Sequence, residues 1–189
     1  MAPILGKRGE MVPREMFRDK RVCLLGNAES ILNREKDIDG YDVVCRCNRG
    51  FPWGKEKFLG TRTDVLFTSH DISYKDFSML DPSYVVWCTP NQAKLSKEFK
   101  AEIDEYFSLD EWLNLERQLQ ARPSTGMMAI TWLVTQTEFA HLSIYGFDFW
   151  KTNTWWAPRT APTPHKASSE KELVEWLIED HERIVLHYE

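Results

Sequence analysis

The segment 122–128 places a proline, two hydroxyl side chains and a glycine directly ahead of an apolar, helix-forming run. The first N–H groups of a helix have no partner within the helix and carry partial positive charge. Ser124 and Thr125 can cap this helix start, and Gly126 lets an anion approach the backbone. The segment therefore predicts an anion-binding helix start.

A second candidate lies at residues 26–30, directly after a short apolar run. Gly26 permits a tight turn with open backbone N–H groups, and Asn27 and Ser30 add polar side chains. The segment is not a G-x-G-x-x-G fingerprint, so it does not predict a dinucleotide site. A nucleotide-binding turn and a plain strand-turn-helix connection both fit it.

A third candidate is Asn48, which follows the predicted strand 42–47. Its amide can donate to and accept from a base or ribose edge. Arg46 and Arg49 stand beside it and could meet a phosphate or carboxylate of a donor substrate. Two surface arginines flanking a turn asparagine are the alternative.

Asp148 and His165 complete the set of candidate side chains. Asp148 follows the predicted strand 141–145 and either accepts from sugar hydroxyls or caps the next segment. His165 precedes a helix predicted to open with a capping box at 169–172. Because a helix start disfavours an imidazolium, we expect a neutral ring that can act as a general base. A bystander loop histidine is the alternative.

The elements around these residues alternate between strands and helices, which predicts a single Rossmann-like α/β domain, 1–189. Its sheet should be mostly parallel, with helices on both faces, and should bind ligands beyond the carboxyl ends of its strands. The predicted strands are 21–25, 42–47, 64–67, 84–88, 141–145 and 183–187. The predicted helices are 28–32, 91–106, 109–119, 126–137 and 169–179.

Two segments do not fit this alternation. Residues 1–20 are rich in charge and are interpreted as an N-terminal extension. Residues 151–164 combine tryptophans, prolines and polar side chains, which is typical either of a lid loop or of a plain surface loop.

The composition limits the partners and the compartment. The net charge of −5 argues against a nucleic-acid surface. No apolar run is long enough for a signal peptide or an integral membrane segment, so we expect a cytoplasmic protein. The four cysteines are expected to be buried and reduced, because the pair Cys45 and Cys47 has no partner pair at zinc-binding spacing. No metal site is predicted, and Asp37 and Asp39 are interpreted as a solvated turn.

Three groups of residues, in order along the chain, resemble the motifs of the sialyltransferases. His165 and Glu170, separated by four residues, are similar to the very-small motif of that family. The segments 23–30, 42–48 and 60–63 resemble its large motif, and 122–126 with 143–147 resemble its small motif.

The resemblance implies a GT-A-like variant of the α/β fold and an inverting, metal-independent glycosyltransferase without a cofactor. It implies CMP–sialic acid as the sugar donor and a hydroxyl on a glycan or glycolipid as the acceptor. By the same matching, Ser124, Thr125 and Gly126 would hold the cytidine or carboxylate end of the donor. His165 would be the catalytic base or a phosphate contact. The nucleotide would be held by Gly26, Asn27, Ser30 and Asn48.

Two departures from the family pattern are visible. The small-motif region 135–142 has no cysteine, so the disulfide of secreted members cannot form. Trp150 and Trp156 occupy the places of tyrosines that assist the leaving phosphate in bacterial relatives, and an indole N–H donates only a hydrogen bond. Trp155 with Trp156 is the nearest match to the aromatic third motif. A transferase that uses another CMP-activated sugar acid, or an inactive nucleotide- or glycan-binding module, therefore remains an alternative.

Overall fold

The computed structural model describes residues 13–93, 95–158, 163–179 and 181–188. Within these ranges, seven strands form one sheet, and every neighbouring pair is parallel. The strands are β1 (Arg21–Leu25), β2 (Val43–Cys47), β3 (Val65–Thr68), β4 (Tyr84–Trp87), β5 (Glu105–Tyr106), β6 (His141–Tyr145) and β7 (Ile184–Leu186). Their order across the sheet is β5-β4-β3-β2-β1-β6-β7.

Helices cover both faces of this sheet, as predicted for a parallel sheet. They are α1 (Pro13–Phe17), α2 (Glu56–Leu59), α3 (Tyr74–Leu80), α4 (Lys97–Lys100), α5 (Leu109–Leu119), α6 (Thr125–Gln136) and α7 (Ala167–Glu179), with a 3-10 helix at Glu29–Asn33. The largest apolar cluster joins one sheet face to α5, α6 and α7. Two smaller clusters cover the other face, one with the 3-10 helix and α2 and one with α3 and α4. The predicted α/β fold is confirmed.

The chain changes direction across the sheet at β1. It runs from β1 outward to β5 and then returns through α6 to β6, which lies on the other side of β1. The connections that leave the carboxyl ends of β1 and β6 therefore diverge. In open parallel sheets such a switch point opens a crevice in which ligands bind.

Two sequence expectations about the elements are wrong. The predicted helix 91–106 is reduced to the single turn Lys97–Lys100, because its last residues pair with β4 as the short edge strand β5. The predicted N-terminal extension, 1–20, is too long, because Phe17 at the end of α1 is fully buried in the largest cluster.

All four cysteines are buried and free. Burial raises the pKa of the Cys23 and Cys47 thiols to about 12, so both stay protonated near neutral pH. The expectation that the cysteines are buried is confirmed. None of the helices in the described ranges combines the length and the apolar character needed to cross a lipid bilayer.

Candidate active site

A cavity of about 410 Å³ opens at the carboxyl edge of the sheet, at the switch point between β1 and β6. Its volume lies within the range of small-molecule sites. The cavity brings together nine of the residues singled out from the sequence: Gly26, Asn27, Asn48, Ser124, Thr125, Gly126, Asp148, Trp150 and His165.

The start of α6 forms one wall of the cavity. Ser124 is the N-cap residue, and its Oγ accepts the Met127 N–H at 3.1 Å. The cap predicted at Ser124 is confirmed, whereas Thr125 is already the first residue of the helix. In the described part of the chain, the N–H groups of Thr125 and Gly126 meet no acceptor, so they can receive an anion.

Gly126 also has a packing role that the sequence did not indicate. A Cβ on this residue would lie 2.5 Å from the ring of Phe147, far inside van der Waals contact. The glycine therefore lets Phe147, which follows β6, pack directly against the start of α6. This contact fixes the helix start relative to the end of β6.

Glu170 anchors the same helix start from α7. Its carboxylate is 4 % exposed and accepts the Ser124 N–H at 2.8 Å and the Ser124 hydroxyl at 2.7 Å. Burial raises the pKa of Glu170 to about 7, although the two hydrogen bonds from Ser124 oppose this shift. The prediction of a capping box at 169–172 is wrong, because α7 already begins at Ala167. Glu170 lies inside this helix and bonds to Ser124 at the start of α6.

His165 lines the cavity with a defined tautomer. Its Nδ1 lies 2.8 Å from the carbonyl oxygen of Arg122, and because a carbonyl only accepts, Nδ1 carries the proton. In the neutral ring, Nε2 is then the basic nitrogen. Burial, and after it the charge of Arg122, lowers the pKa of His165, while its hydrogen bond to the Arg122 carbonyl opposes the shift. The ring is neutral as expected, but burial and not the helix start is the main cause.

Trp150 stacks on the imidazole of His165, with ring centroids 5.6 Å apart and planes inclined by 22°. Both Phe149 and Trp150 have positive φ angles, 54° and 64°, which bulky side chains rarely adopt. Strain of this kind is concentrated at functional sites. Asp148, just ahead of them, accepts the N–H and hydroxyl of Thr152, so the structure shows the capping alternative for this side chain.

Two asparagines face each other across the ends of β1 and β2. The Nδ2 of Asn27 donates to the Cys47 carbonyl at 3.0 Å, and its Oδ1 is buried without a partner among the described residues. Asn48 has a φ of 51°, and its Oδ1 accepts the Ser69 N–H at 2.9 Å. Because the amide oxygen of Asn48 is used in this contact, its amide nitrogen is the group that can donate to a ligand.

The backbone N–H groups of Gly26 and Ala28, after β1, are not open, contrary to the expectation for Gly26. The Gly26 N–H donates to the Tyr145 carbonyl at 2.8 Å, and the Ala28 N–H donates to the Gly146 carbonyl at 3.1 Å. A Cβ on Gly26 would lie 2.3 Å from the Gly146 oxygen, so the glycine permits this backbone contact. Ser30 is buried and does not line the cavity.

The two arginines near Asn48 lie outside the cavity. Arg46 is 1 % exposed and donates to the carbonyls of Leu59 and Arg62 and to Thr63. Its position in β2 directs it to the face opposite Cys45 and Cys47. Arg49 is exposed. The expectation that these arginines meet the donor is therefore wrong for the cavity seen here.

Residues 151–158, the first described part of the predicted lid 151–164, are bound to the turn after β1. The Trp155 N–H donates to the Asn27 carbonyl, and the Glu29 N–H donates to the Asn153 carbonyl. Trp155 packs on the cluster around Leu59, and Trp156 is 44 % exposed, so neither lines the cavity. This part is a wall of the cavity, and residues 159–162 of the predicted lid lie outside the described residues.

Ser69 and His70 line the cavity after β3, and neither was predicted from the sequence. The Ser69 Oγ lies 2.8 Å from the Oγ1 of Thr125. Their position at the end of a predicted strand was the available signal. Asp39, interpreted as part of a solvated turn, accepts two backbone N–H groups and the hydroxyl of Thr61, and so it holds a loop. No group of His, Cys, Asp or Glu in the described ranges is arranged to hold a metal ion.

No family model matches the chain, but comparison with known proteins finds sialyltransferases. The chain is 24 % identical over 173 residues to the mouse type 2 lactosamine α-2,3-sialyltransferase, an alignment that covers 71 % of this chain. It spans about half (53 %) of the length of that enzyme. The resemblance to sialyltransferases seen in the motifs is confirmed by this match.

Solved sialyltransferases share the fold. A mammalian sialyltransferase in complex with Gal-β-1-3GalNAc-ortho-nitrophenol superposes with a TM-score of 0.65 at 15 % identity, covering 89 % of this chain and 69 % of its own. CstII from Campylobacter jejuni, solved with cytidine-5'-monophosphate, gives 0.59 at 16 % identity, covering 89 % and 80 %. CstII was also solved with the substrate analogue CMP-3FNeuAc. The chain therefore has the fold of the sialyltransferases.

Proposed function

We propose that this chain is an inverting sialyltransferase that moves sialic acid from CMP–sialic acid to a hydroxyl of a glycan or glycolipid. The proposal is supported by the sialyltransferase relative and by the solved CMP complexes that share the fold. It is also supported by a cavity of suitable size at the switch point of the sheet. The buried, free cysteines support a reducing compartment such as the cytoplasm, which a disulfide found in the protein isolated from cells would contradict.

The observation that carries the proposal is the tautomer of His165. With Nδ1–H held by the Arg122 carbonyl, Nε2 is available to take the proton of the acceptor hydroxyl. The acceptor oxygen then forms a bond to the anomeric carbon while the bond from that carbon to the phosphate oxygen breaks. The electron pair leaves with CMP, and the reacting carbon passes through an oxocarbenium-like state.

Anionic groups of the donor would be met by the backbone rather than by a metal ion. The Thr125 and Gly126 N–H groups lie at the positive end of α6, and preorganised donors of this kind stabilise developing negative charge. In this proposal the Asn48 amide nitrogen donates to the base or the ribose. Gly26 and Asn27 shape the same wall of the cavity, and in this proposal they contact the nucleotide.

Replacing the base tests this proposal. We expect His165→Ala to lower kcat by roughly 10²–10⁴-fold, because the acceptor hydroxyl loses its proton acceptor. Binding of CMP should change little. The measurement is transfer from CMP–sialic acid in the presence of a chelator, together with CMP titration.

The matched control is His181→Ala, because His181 lies outside the cavity. If His165→Ala turns over at the wild-type rate, His165 is not the base. A loss of CMP affinity as large as the loss of turnover would make His165 a phosphate contact instead. Activity that is lost in the chelator and restored by Mg²⁺ would contradict the metal-free part of the proposal.

A second candidate, an inactive nucleotide-binding module, is favoured by the stack of Trp150 on His165. The indole covers the proposed base and offers no ionisable hydroxyl to the leaving phosphate. Binding of CMP without any transfer, to acceptors that relatives use, would support this candidate.

A further inference from the structure

Glu170 places a buried carboxylate at the helix start that the donor would occupy. It takes both hydrogen-bond donors of Ser124, and it lines the same cavity as Thr125 and Gly126. No Lys, Arg or His side chain of the described ranges forms an ion pair with it. The charge on this carboxylate is therefore balanced by Ser124 and by the positive ends of α6 and of α7, in whose first turn Glu170 lies.

An anionic ligand would compete with this carboxylate. The next two N–H groups of the same helix are the ones left for a phosphate or carboxylate of the donor. Two negative charges at one helix end repel each other, and more strongly where one of them is buried, as Glu170 is. When like charges share a site, one of the groups usually takes a proton.

We propose that Glu170 takes up a proton when the donor binds, and that this proton turns Ser124 toward the ligand as a hydrogen-bond donor. The proposal rests on the donor assigned above. Glu170 acts here as a positioning residue, because it works through Ser124 and does not touch the reacting atoms.

The hydrogen bonds allow this change without moving a heavy atom. In the ionised state, the Ser124 hydroxyl donates to Oε2 of Glu170 and accepts the Met127 N–H. A proton on Oε2 reverses the first bond, so that Ser124 Oγ accepts from Glu170 as well as from Met127. A hydroxyl oxygen can accept two hydrogen bonds, and its own hydrogen is then free to donate into the cavity.

The titration range of Glu170 agrees with this proposal. Burial raises its pKa to about 7, so the group exchanges its proton near neutral pH even without a ligand. The other charged or titratable side chains that line the cavity are Cys47, His70, Arg122, Asp148 and His165. Lys166, Lys171 and Glu172 lie within four residues of Glu170 in the sequence. Of these, the two histidines need a control, because an anion would also favour protonation of His70 or His165.

The test is calorimetric titration with CMP-3FNeuAc at about pH 7.5, in two buffers with different ionisation enthalpies. The phosphodiester and carboxylate of this ligand stay ionised near neutral pH, so any proton taken up goes to the protein. We expect uptake of up to about one proton per site. Above the pKa of Glu170 in the free protein, Kd should rise by as much as about tenfold per pH unit, because the proton must be acquired.

The variant Glu170→Gln should bind without proton uptake and with a Kd that no longer depends on pH. A glutamine reproduces the protonated arrangement, because its oxygen accepts the Ser124 N–H and its amide donates to Ser124 Oγ. The matched controls His70→Gln and His165→Gln should each keep the uptake. A merely structural role of Glu170 would lower affinity without changing the pH profile.

Uptake that persists in Glu170→Gln and disappears in His165→Gln would overturn the proposal in favour of the histidine. If the Gln variant does not fold, the wild-type protein alone tests the proposal. A Kd for CMP-3FNeuAc that is constant from about pH 6.5 to 8.5 would exclude coupling between ligand binding and proton uptake. Binding without proton uptake refutes this inference alone. Absence of binding at every pH refutes the donor assignment and the linkage together.

Discussion

Trp150 occupies a position where the resemblance to bacterial sialyltransferases implies a tyrosine that assists the leaving phosphate. In the structure its indole stacks on His165, and its backbone lies in the left-handed region. An indole N–H donates a hydrogen bond, but it does not supply a proton to a departing phosphate. This side chain is therefore expected to limit the rate of transfer.

We expect Trp150→Tyr to raise kcat by about tenfold or more, because a phenol can act as a general acid. Trp150→Phe is the matched control, since it differs from the tyrosine only by the hydroxyl. The measurement is kcat for transfer from CMP–sialic acid by both variants. Equal rates for the two would show that the hydroxyl contributes nothing at this position.

Single residues were predictable where their role is local. Ser124 caps its own helix, and such a cap follows from residue type and position alone. The role of Glu170 was not predictable, because its partner Ser124 is 46 residues away in sequence. Arg46 was misjudged for a similar reason, since its side chain is buried against the carbonyls of Leu59 and Arg62.

Helix α6 is held at its first turn by the contact between Gly126 and Phe147. Alanine is the better helix former by as much as about 1 kcal/mol. An added Cβ would nevertheless lie 2.5 Å from the aromatic ring, and overpacking of this kind typically costs about 1–3 kcal/mol. The steric effect should therefore outweigh the helix propensity.

We expect Gly126→Ala to lower the melting temperature and to weaken CMP binding, because Phe147 must move away from the helix start. Thermal unfolding and CMP titration measure the two effects. Adding Phe147→Leu, which removes the ring, should restore most of the stability. If Gly126→Ala alone melts at a higher temperature than the wild-type protein, the contact between residue 126 and Phe147 is not tight.

The strands were predicted to within one or two residues, because each is an apolar run that stands out from its neighbours. The edge strand β5 has only two residues and gave no such signal. Helix α3 was missed, although Ser73 is an N-cap whose Oγ accepts the Asp76 N–H. Short elements of this kind are fixed by tertiary packing more than by their own sequence.

The molecule as a whole is a parallel sheet whose chain order reverses at β1, with the cavity at that reversal. The fold follows from the alternation of strands and helices, and the place of the cavity follows from the fold. The wall formed by 151–158 does not follow from the sequence. It depends on backbone hydrogen bonds to Asn27 and Glu29, far away along the chain.

Nucleotide selectivity tests the site in the intact protein. We expect CMP to raise the melting temperature more than UMP, AMP or GMP, because the proposed donor contains cytidine. A ligand at 100 times its Kd adds about 2.7 kcal/mol to the free energy of unfolding. The exposed Arg49 offers a matched control, since Arg49→Ala should leave the CMP effect unchanged. Equal stabilisation by all four nucleotides would contradict a cytidine site.

The bond between Ser124 and Glu170 joins two sequence motifs into one structural unit. Either side chain alone would leave a buried polar group without its partner, which costs stability. Evolution should therefore retain the serine and the glutamate together or replace them together. In a lineage that has abandoned one of the two motifs, we expect the other to decay as well.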